Sequence, residues 1–163
     1  MPLLATLLIA AATPACAAPA PIAEPWTAWS QTGEANAGID ATDAPALVPG
    51  KPMETVLVPV GQVRFAAVPG KGAKEGYGGL FSLSLKEPGR VGIALSGAAW
   101  VDVVTEAKAA ASVEHGHGPE CSGIRKIVWF DLSAGRHIIQ IAGAQARSIH
   151  VMAAEAEASQ GTQ

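Results

Sequence analysis

The chain has 163 residues and carries 11 lysine and arginine side chains against 14 aspartate and glutamate side chains, so its formal net charge is −3. Charged residues make up 15% of the chain and apolar residues 49%. This composition excludes a nucleic-acid binder that works through a basic face, and it argues against intrinsic disorder. The length fits one domain with a single core. The 18 glycines and 12 prolines predict frequent turns.

The N-terminal segment has the features of a secretory signal peptide. An apolar run over residues 3–12 is too short to span the hydrocarbon core of a membrane as a helix. It is followed by small residues and by Ala15-Cys16-Ala17, an A-x-A sequence that is typical of a cleavage site. We therefore predict a signal peptide over residues 1–17 and a bacterial protein that is periplasmic or secreted. No later stretch approaches the length of a transmembrane helix, so we expect no membrane span.

The two cysteines, Cys16 and Cys121, leave three alternatives open. Cleavage after Ala17 would remove Cys16 and leave a lone thiol, which is unusual in an exported protein. Cleavage after Ala15 would keep Cys16, which could then form a disulfide with Cys121. Lipidation of Cys16 is the third alternative, although the leucine usual three positions before such a cysteine is missing. We take the disulfide as the prediction to test, because it accounts for Cys121.

The chain after the signal peptide divides into three parts by composition. Residues 18–52 are rich in alanine and proline and predict an extended lead, whose Trp26 and Trp29 dock on the core. Residues 53–153 contain short runs of alternating apolar and polar residues, a period typical of strands that bury one face. Residues 154–163 are polar and alanine-rich and predict a flexible tail.

Nine runs with strand character and no convincing helix predict an all-β fold, an antiparallel β-sandwich or jelly roll of about seven to nine short strands. Helix competes only over the alanine-rich residues 105–113. The predicted strands are 53–60, 62–68, 81–86, 91–96, 100–105, 107–114, 125–132, 136–142 and 147–152. The side chains predicted to fill the core are Phe81, Leu83, Leu85, Val91, Ile93, Leu95, Ile139 and Ile141.

A short internal repeat occurs twice. Residues 89–97 and 135–143 share the pattern G-R-x-x-I-x-[L/I]-[S/A]-G, and each copy follows a run that ends in leucine. Because glycine tolerates the positive φ of a tight turn, we interpret the repeat as one β-hairpin used twice.

Two resemblances to known families follow from these segments. The order GGLFSLSLKEPGRVGIALSG, VDVV, a cysteine, IVWFDLSAGRHIIQIAG and IHVM, over about residues 79–153, resembles the bacterial pre-peptidase C-terminal domain, and this implies a secreted β-sandwich. Residues 76–79 together with 115–126 are similar to a group of short exported bacterial proteins of unknown role. Some of those carry an automatic homogentisate 1,2-dioxygenase label, which belongs to a far longer cupin-type iron enzyme.

One glycine-rich loop concentrates metal-ligating residue types. His115, His117, Glu120 and Cys121 lie within seven residues, and two imidazoles with one carboxylate form the ligand set of non-haem iron oxygenases. The spacing approaches the cupin pattern, with His137 as the distant histidine, but Glu120 follows His117 too closely and His137 lacks the usual flanking residues. The alternatives are a divalent metal site (zinc, copper or iron), a cupin-like iron dioxygenase site, and a plain connecting loop.

Other candidates point to binding rather than catalysis. Tyr77, in a long glycine-rich loop, could stack on a sugar or peptide, and Arg125 and Lys126 could meet an anion. His150 and Asp102 alternate with apolar neighbours and should point away from the core. We therefore predict an exported, non-catalytic binding or envelope-interaction module, whose partner is a small molecule, a glycan or an envelope protein and not a nucleic acid. The alternative is a metal-binding protein.

Overall fold

Eleven strands carry the fold of the residues that the computed structural model describes, which are 15–70 and 73–157. Two short 3₁₀ helices, Thr27–Ser30 and Val60–Gln62, accompany them. The strands are β1 (Glu34–Asn36), β2 (Met53–Val56), β3 (Val58–Pro59), β4 (Tyr77–Leu85), β5 (Gly89–Leu95), β6 (Trp100–Thr105), β7 (Lys108–Ala109), β8 (Ser112–Gly116), β9 (Lys126–Leu132), β10 (Gly135–Ala144) and β11 (Ser148–Glu155).

The strands form two sheets that pack face to face, which confirms the predicted β-sandwich. The first sheet has six strands in the order β1-β2-β11-β5-β9-β8, and the second has five in the order β3-β4-β10-β6-β7. All pairs are antiparallel except β1 with β2. Sheets of this kind bury one face against each other, so the core lies between them.

The space between the sheets is filled by the alternating apolar residues of both. Successive side chains of a strand point to opposite faces, so every second residue of the central strands enters the core. All eight side chains predicted to fill the core are buried there, which confirms that prediction. They are Phe81, Leu83, Leu85, Val91, Ile93, Leu95, Ile139 and Ile141.

The outer face of the first sheet is covered by the N-terminal lead. Trp26 and Trp29 are both 5% exposed and pack over Ala94, Met152 and Ala154 of the sheet. The predicted docking of the tryptophans is thus confirmed. The lead also adds β1 to the sheet edge, so it is part of the folded domain.

The outer face of the second sheet is covered by a segment that we predicted to be a strand. Residues 62–68 begin at the end of a 3₁₀ helix and continue without strand pairing, so that prediction is wrong. Their backbone is held by a side chain: Gln140 accepts hydrogen bonds from the N–H groups of Ala66 and Ala67 and donates one to the carbonyl of Ala67. The apolar residues of the segment, including Val63 and Phe65, cover the sheet instead of extending it.

Two other predicted strands are each split in two. The run 53–60 becomes β2 in the first sheet and β3 in the second. The run 107–114 becomes β7 and β8, and its alternative as a helix is not realised. Glu106 and Ala107 both have positive φ, 49° and 64°, as in the tight turns that reverse a chain between paired strands. This turn pairs Lys108 with Thr105 before the chain crosses to the first sheet.

The internal repeat marks crossings between the sheets. Its copies start β5 and β10, and the preceding strands, β4 and β9, lie in the opposite sheet in each case. The interpretation as a hairpin is therefore wrong, because a hairpin joins neighbours of one sheet. Gly135 has a φ of 118°, a conformation that favours glycine, where the second crossing ends and β10 begins.

The folded domain extends slightly beyond its predicted C-terminal boundary. Strand β11 continues to Glu155, two residues past the predicted domain boundary at 153. Residues 158–163 of the predicted tail and residues 1–14 of the predicted signal peptide lie outside the described residues. Within the described residues, no helix has the length and apolar character needed to cross a membrane.

Candidate functional site

The sandwich has an open side between β6 and β8. Within the described residues, β7 pairs only with the last two residues of β6, which leaves the end that begins at Trp100 without a neighbour on that side. On the facing sheet, Ser112 and His115 of β8 pair with Phe130 and Val128. Both of these partners belong to the core, and paired residues share a face. Ser112 and His115 therefore point into the space between the sheets.

Trp100 is held rigidly at this open side although 40% of it is exposed. Its Nε1–H donates to Oδ1 of Asp102 at 2.8 Å, and Gln140 donates to the other carboxylate oxygen at 3.1 Å. The backbone of Gly70 packs so closely that a Cβ at this position would lie 2.0 Å from Cε2 of the indole. An exposed aromatic ring with one fixed orientation is a suitable contact surface for a ligand.

Lys126 places a cation beside this ring. It pairs with the core residue Leu95, so its side chain extends between the sheets. Its Nζ donates to the carbonyl of Ala99 at 2.7 Å and lies 5.7 Å from the centroid of the Trp100 ring. Burial lowers the pKa of Lys126, and the charge of Asp102 opposes this shift. No carboxylate of the described residues forms an ion pair with Lys126.

Two neighbouring pockets share Trp100 and Lys126. One has a volume of about 260 Å³ and is also lined by Ser112, His115 and the apolar wall of the core. The other has a volume of about 250 Å³ and is also lined by Gln145 and by small residues of the loop before β6 and of the end of β10. The pair of Trp100 and Lys126 thus forms a ridge with a pocket on each side.

The histidines that we predicted to share a metal lie in different pockets. His115 faces Trp100 and Lys126. His117 and Glu120 line a separate pocket of about 380 Å³ formed by the loop that follows β8. There Nδ1–H of His117 donates to the carbonyl of Arg125 at 2.8 Å, which leaves Nε2 as the free ring nitrogen.

His137 lies at the other end of the sandwich. It lies on β10, is 1% exposed and pairs with Leu83 of β4. The residue of β10 that pairs with Trp100 is Ala142, five positions further along the strand. Its Nε2–H donates to the carbonyl of Ser133 at 2.8 Å, and its Nδ1 lies 2.6 Å from Oγ1 of Thr105. Both ring nitrogens therefore have partners inside the fold.

The predicted metal ligands do not come together as one centre. Within residues 15–70 and 73–157, no group of three or more His, Cys, Asp or Glu side chains is placed to hold a metal ion. Zinc and cupin-type iron centres need at least three protein ligands around one ion. His115, His117, Glu120 and His137 do not meet this requirement as one set.

The predicted disulfide is present. Cys16 and Cys121 are bonded, with their Cα atoms 5.6 Å apart and 105 positions apart in sequence. Next to this bond, the N–H of Ala20 donates to the carbonyl of Cys121 at 3.4 Å. The bond fastens the N-terminal segment to the loop that carries His117 and Glu120.

The remaining candidates have separate positions. Tyr77 is half-buried and packs against the core, and Arg125 is exposed beside the loop pocket. His150 points off the core face, as predicted, and its Nε2–H donates to the carbonyl of Trp29 at 2.9 Å while Nδ1 lies 3.2 Å from Oε2 of Glu54. Of the predicted ligand residues Tyr77, Arg125 and Lys126, only Lys126 lines the open side.

Sequence reasoning missed the centre of this site. Trp100, Gln140 and Gly70 were not identified. Asp102 points off the core face, as predicted, but its hydrogen bond to the indole was not anticipated. One local signal was available, because the spacing of Trp100 and Asp102 places both side chains on one face of a strand. The contributions of Gly70 and Gln140 are long-range and have no such signal.

No protein-family model and no curated protein matches the sequence.

Proposed function

We propose that the protein is a non-catalytic binding module, and that its ligand occupies the pocket of about 260 Å³ between β6 and β8. The observation that carries this proposal is the rigidly held, exposed Trp100 beside a lysine with no carboxylate partner among the described residues. Binding pockets combine apolar walls with a few fixed polar groups, and here Val101 and Val128 supply the wall. The volume lies slightly below that of sites for drug-sized molecules, so the ligand group is of monosaccharide or amino-acid size.

A larger groove elsewhere is a weaker candidate. It has a volume of about 750 Å³ and lies at the opposite end of the sandwich, lined by Pro49, Pro88 and Leu85 and by charges of both signs. Its three acidic residues and one lysine, Glu24, Glu87, Glu155 and Lys86, are exposed. None of its lining residues in the described part of the chain is aromatic, so it offers no ring on which a ligand could pack.

We expect small polar ligands to perturb the Trp100 pocket and no other region. The measurement is a titration of ¹⁵N-labelled protein with monosaccharides, uronic acids, amino acids and dipeptides, followed by NMR. A ligand of the pocket should shift the indole N–H signal of Trp100 and the amide signals of Ser112, His115 and Lys126, because these groups line one cavity.

Two variants control this titration. Trp100→Ala should abolish the shifts. Gly70→Ala should weaken binding at least several-fold without touching the ligand, because the added Cβ displaces the indole. Shifts that persist in Trp100→Ala, or that map to other residues, contradict the proposal.

We also propose that the protein is exported to the periplasm or beyond. The disulfide supports this location, because such bonds persist in oxidising compartments and are rare in the cytosol. The resemblance of residues 79–153 to the pre-peptidase C-terminal domain, a secreted sandwich, points the same way. The disulfide needs Cys16 in the mature chain, so signal cleavage belongs at or before Ala15 and not after Ala17.

Intact mass of the exported protein tests this location and processing. We expect a mature N-terminus at or before Cys16, and a mass 2 Da below that of the reduced chain for one disulfide. The control is the same sample after reduction and alkylation, which should carry two labels. A mature chain that begins at Ala18 contradicts the disulfide in the exported protein.

A second candidate is metal binding at the loop pocket. The observation that favours it is the bond from His117 to the carbonyl of Arg125, since metal-bound histidines usually donate their other N–H to such a group. Glu120 lines the same pocket. With two protein ligands this pocket falls short of a zinc or cupin-type iron centre, and water would fill the remaining positions of a bound ion.

Thermal melting with Zn²⁺, Cu²⁺ or Fe²⁺ tests this second candidate. A bound metal at a hundredfold excess over Kd adds about 2.7 kcal/mol, so the melting temperature should rise by several degrees. His117→Ala/Glu120→Ala should remove the rise, and His115→Ala should keep it because His115 faces the other pocket. Equal melting curves with and without metal contradict the site.

A further inference from the structure

The ligand class of the Trp100 pocket can be narrowed from its charges; this inference rests on the proposed binding function. Two ionisable side chains, Lys126 and His115, line the pocket, and neither is acidic. Glu114, the nearest acid along β8, precedes His115 on the strand and so points to the opposite face. The interior of this pocket therefore favours a negative group.

Lys126 is partly buried but forms no ion pair with a carboxylate of the described residues. Its ammonium is partly withdrawn from water, which disfavours its charge and lowers its pKa. Its bond to the carbonyl of Ala99 uses one of three donors. Asp102, the nearby acid, already accepts from Trp100 and Gln140. A ligand carboxylate would restore the lost solvation of the ammonium and gain a charge-assisted hydrogen bond.

The shape of the site favours a ligand that consists of at least two repeating units. The pockets on the two sides of the Trp100–Lys126 ridge have similar volumes, about 260 and 250 Å³. Each is also lined by polar side chains beyond the shared Lys126: Ser112 and His115 in one, Gln145 in the other. A chain with a repeating unit would place one unit in each pocket and cross the ridge between them.

We propose that the protein binds an acidic saccharide of at least two sugar units, with a uronic acid carboxylate on Lys126 and a sugar ring against the exposed surface of Trp100. The C–H face of a sugar ring packs on an indole, while its hydroxyls match the hydroxyl, imidazole and amide groups of the two pockets. A sugar acid joins these features in one rigid unit, whereas a neutral sugar leaves Lys126 with no negative charge beyond that of Asp102, which forms no ion pair with it.

Isothermal titration calorimetry with uronic acid oligomers tests this inference. The probes are galacturonic acid and its dimer and trimer, the corresponding mannuronic acid series, and the methyl esters of each, which lose only the charge. In at least one series we expect the dimer to bind at least about tenfold more tightly than the monomer, because it fills both pockets. In that series the methyl ester should bind at least about tenfold more weakly than the acid, because charge-assisted hydrogen bonds are the stronger ones.

Lys126→Gln is the decisive variant, because it keeps a donor for Ala99 and removes the charge. It should bind acid and ester equally and more weakly than the wild type. Lys108→Gln changes an exposed lysine on β7 and should leave binding unchanged. A melting temperature close to that of the wild type verifies that each variant is folded.

The outcomes separate this inference from the proposed function. Equal binding of acid and ester by the wild type overturns the acidic class, and equal binding of monomer and dimer overturns the two-pocket arrangement. Binding of neutral sugars or dipeptides, with dependence on Trp100 and with no uronic acid bound, overturns this inference and leaves the binding module in place. Loss of dependence on Trp100 for every probe overturns both.

Discussion

Replacement of Cys16 and Cys121 by alanine is expected to lower the free energy of unfolding by about 4 kcal/mol. The bond joins residues 105 positions apart. A cross-link over a loop of that length lowers the entropy of the denatured chain and so raises its free energy by about 4–5 kcal/mol. Residues 15–19 around Cys16 are exposed, so their own contacts do not replace the bond. Urea unfolding followed by tryptophan fluorescence measures the change.

Two comparisons isolate the effect of the bond. The wild type in a reducing buffer should unfold at the urea concentration of the double variant, and the double variant should not respond to reduction. Cys16→Ser/Cys121→Ser should match the alanine pair, because the loss comes from the missing cross-link and not from side-chain packing. A loss below about 1 kcal/mol in all three would show that the disulfide does not hold the domain together.

Trp29→Ala should lower the free energy of unfolding by about 3–5 kcal/mol, the range for truncation of a buried aromatic side chain. Trp29 is 5% exposed and packs over Met152 and Ala154 of the first sheet. Its ring also meets that of His150 edge to face, with the centroids 4.5 Å apart. Removal of the ring opens a cavity above the sheet, while Trp26 and the backbone contacts of the lead remain. Calorimetry and urea unfolding give the loss.

The matched controls are a conservative substitution of Trp29 and a substitution of an exposed residue elsewhere. Trp29→Phe keeps an aromatic ring over the sheet and should recover more than half of the loss. Val68→Ala alters a side chain that is 91% exposed and should change stability by less than about 0.5 kcal/mol. If Trp29→Ala is as mild as Val68→Ala, residues 18–52 are an appendage and not part of the domain.

The sequence predicted the core well because, in each strand, the alternation of apolar and polar residues shows which side chains point inward. Phe81, Leu83 and Leu85 alternate with polar residues. If one face of the strand is buried, only these three side chains can form that face. The same reasoning failed for residues 62–68. Their apolar residues contact the outer face of the second sheet without strand pairing. Alternation alone does not distinguish a strand within a sheet from a segment that covers one.

The disulfide and the predicted metal site both show that distance in sequence does not predict proximity in the fold. Cys16 and Cys121 are far apart in sequence and their pairing was one of three alternatives, yet the fold brings them together. His115 and His117 are neighbours in sequence and were expected to act together, yet they lie in different pockets. Sequence spacing is a poor guide wherever a strand ends and a loop begins, because the regular alternation of faces stops there.

By itself, the sequence determined the all-β class, the inward residues of the central strands and the docking of the two lead tryptophans. These follow from local periodicity and from the need to bury large apolar side chains. Only the tertiary structure decided which sheet each strand joins and where the candidate site lies. Alternation is the same in either sheet, so it could not show that the repeat crosses between sheets. The site joins Gly70, Trp100, Gln140 and Lys126 from different parts of the chain. Gln140 reaches Asp102 through the pairing of β10 with β6, and Gly70 reaches the indole from the segment that covers this sheet. Lys126 lies beside Trp100 only because the two sheets pack face to face.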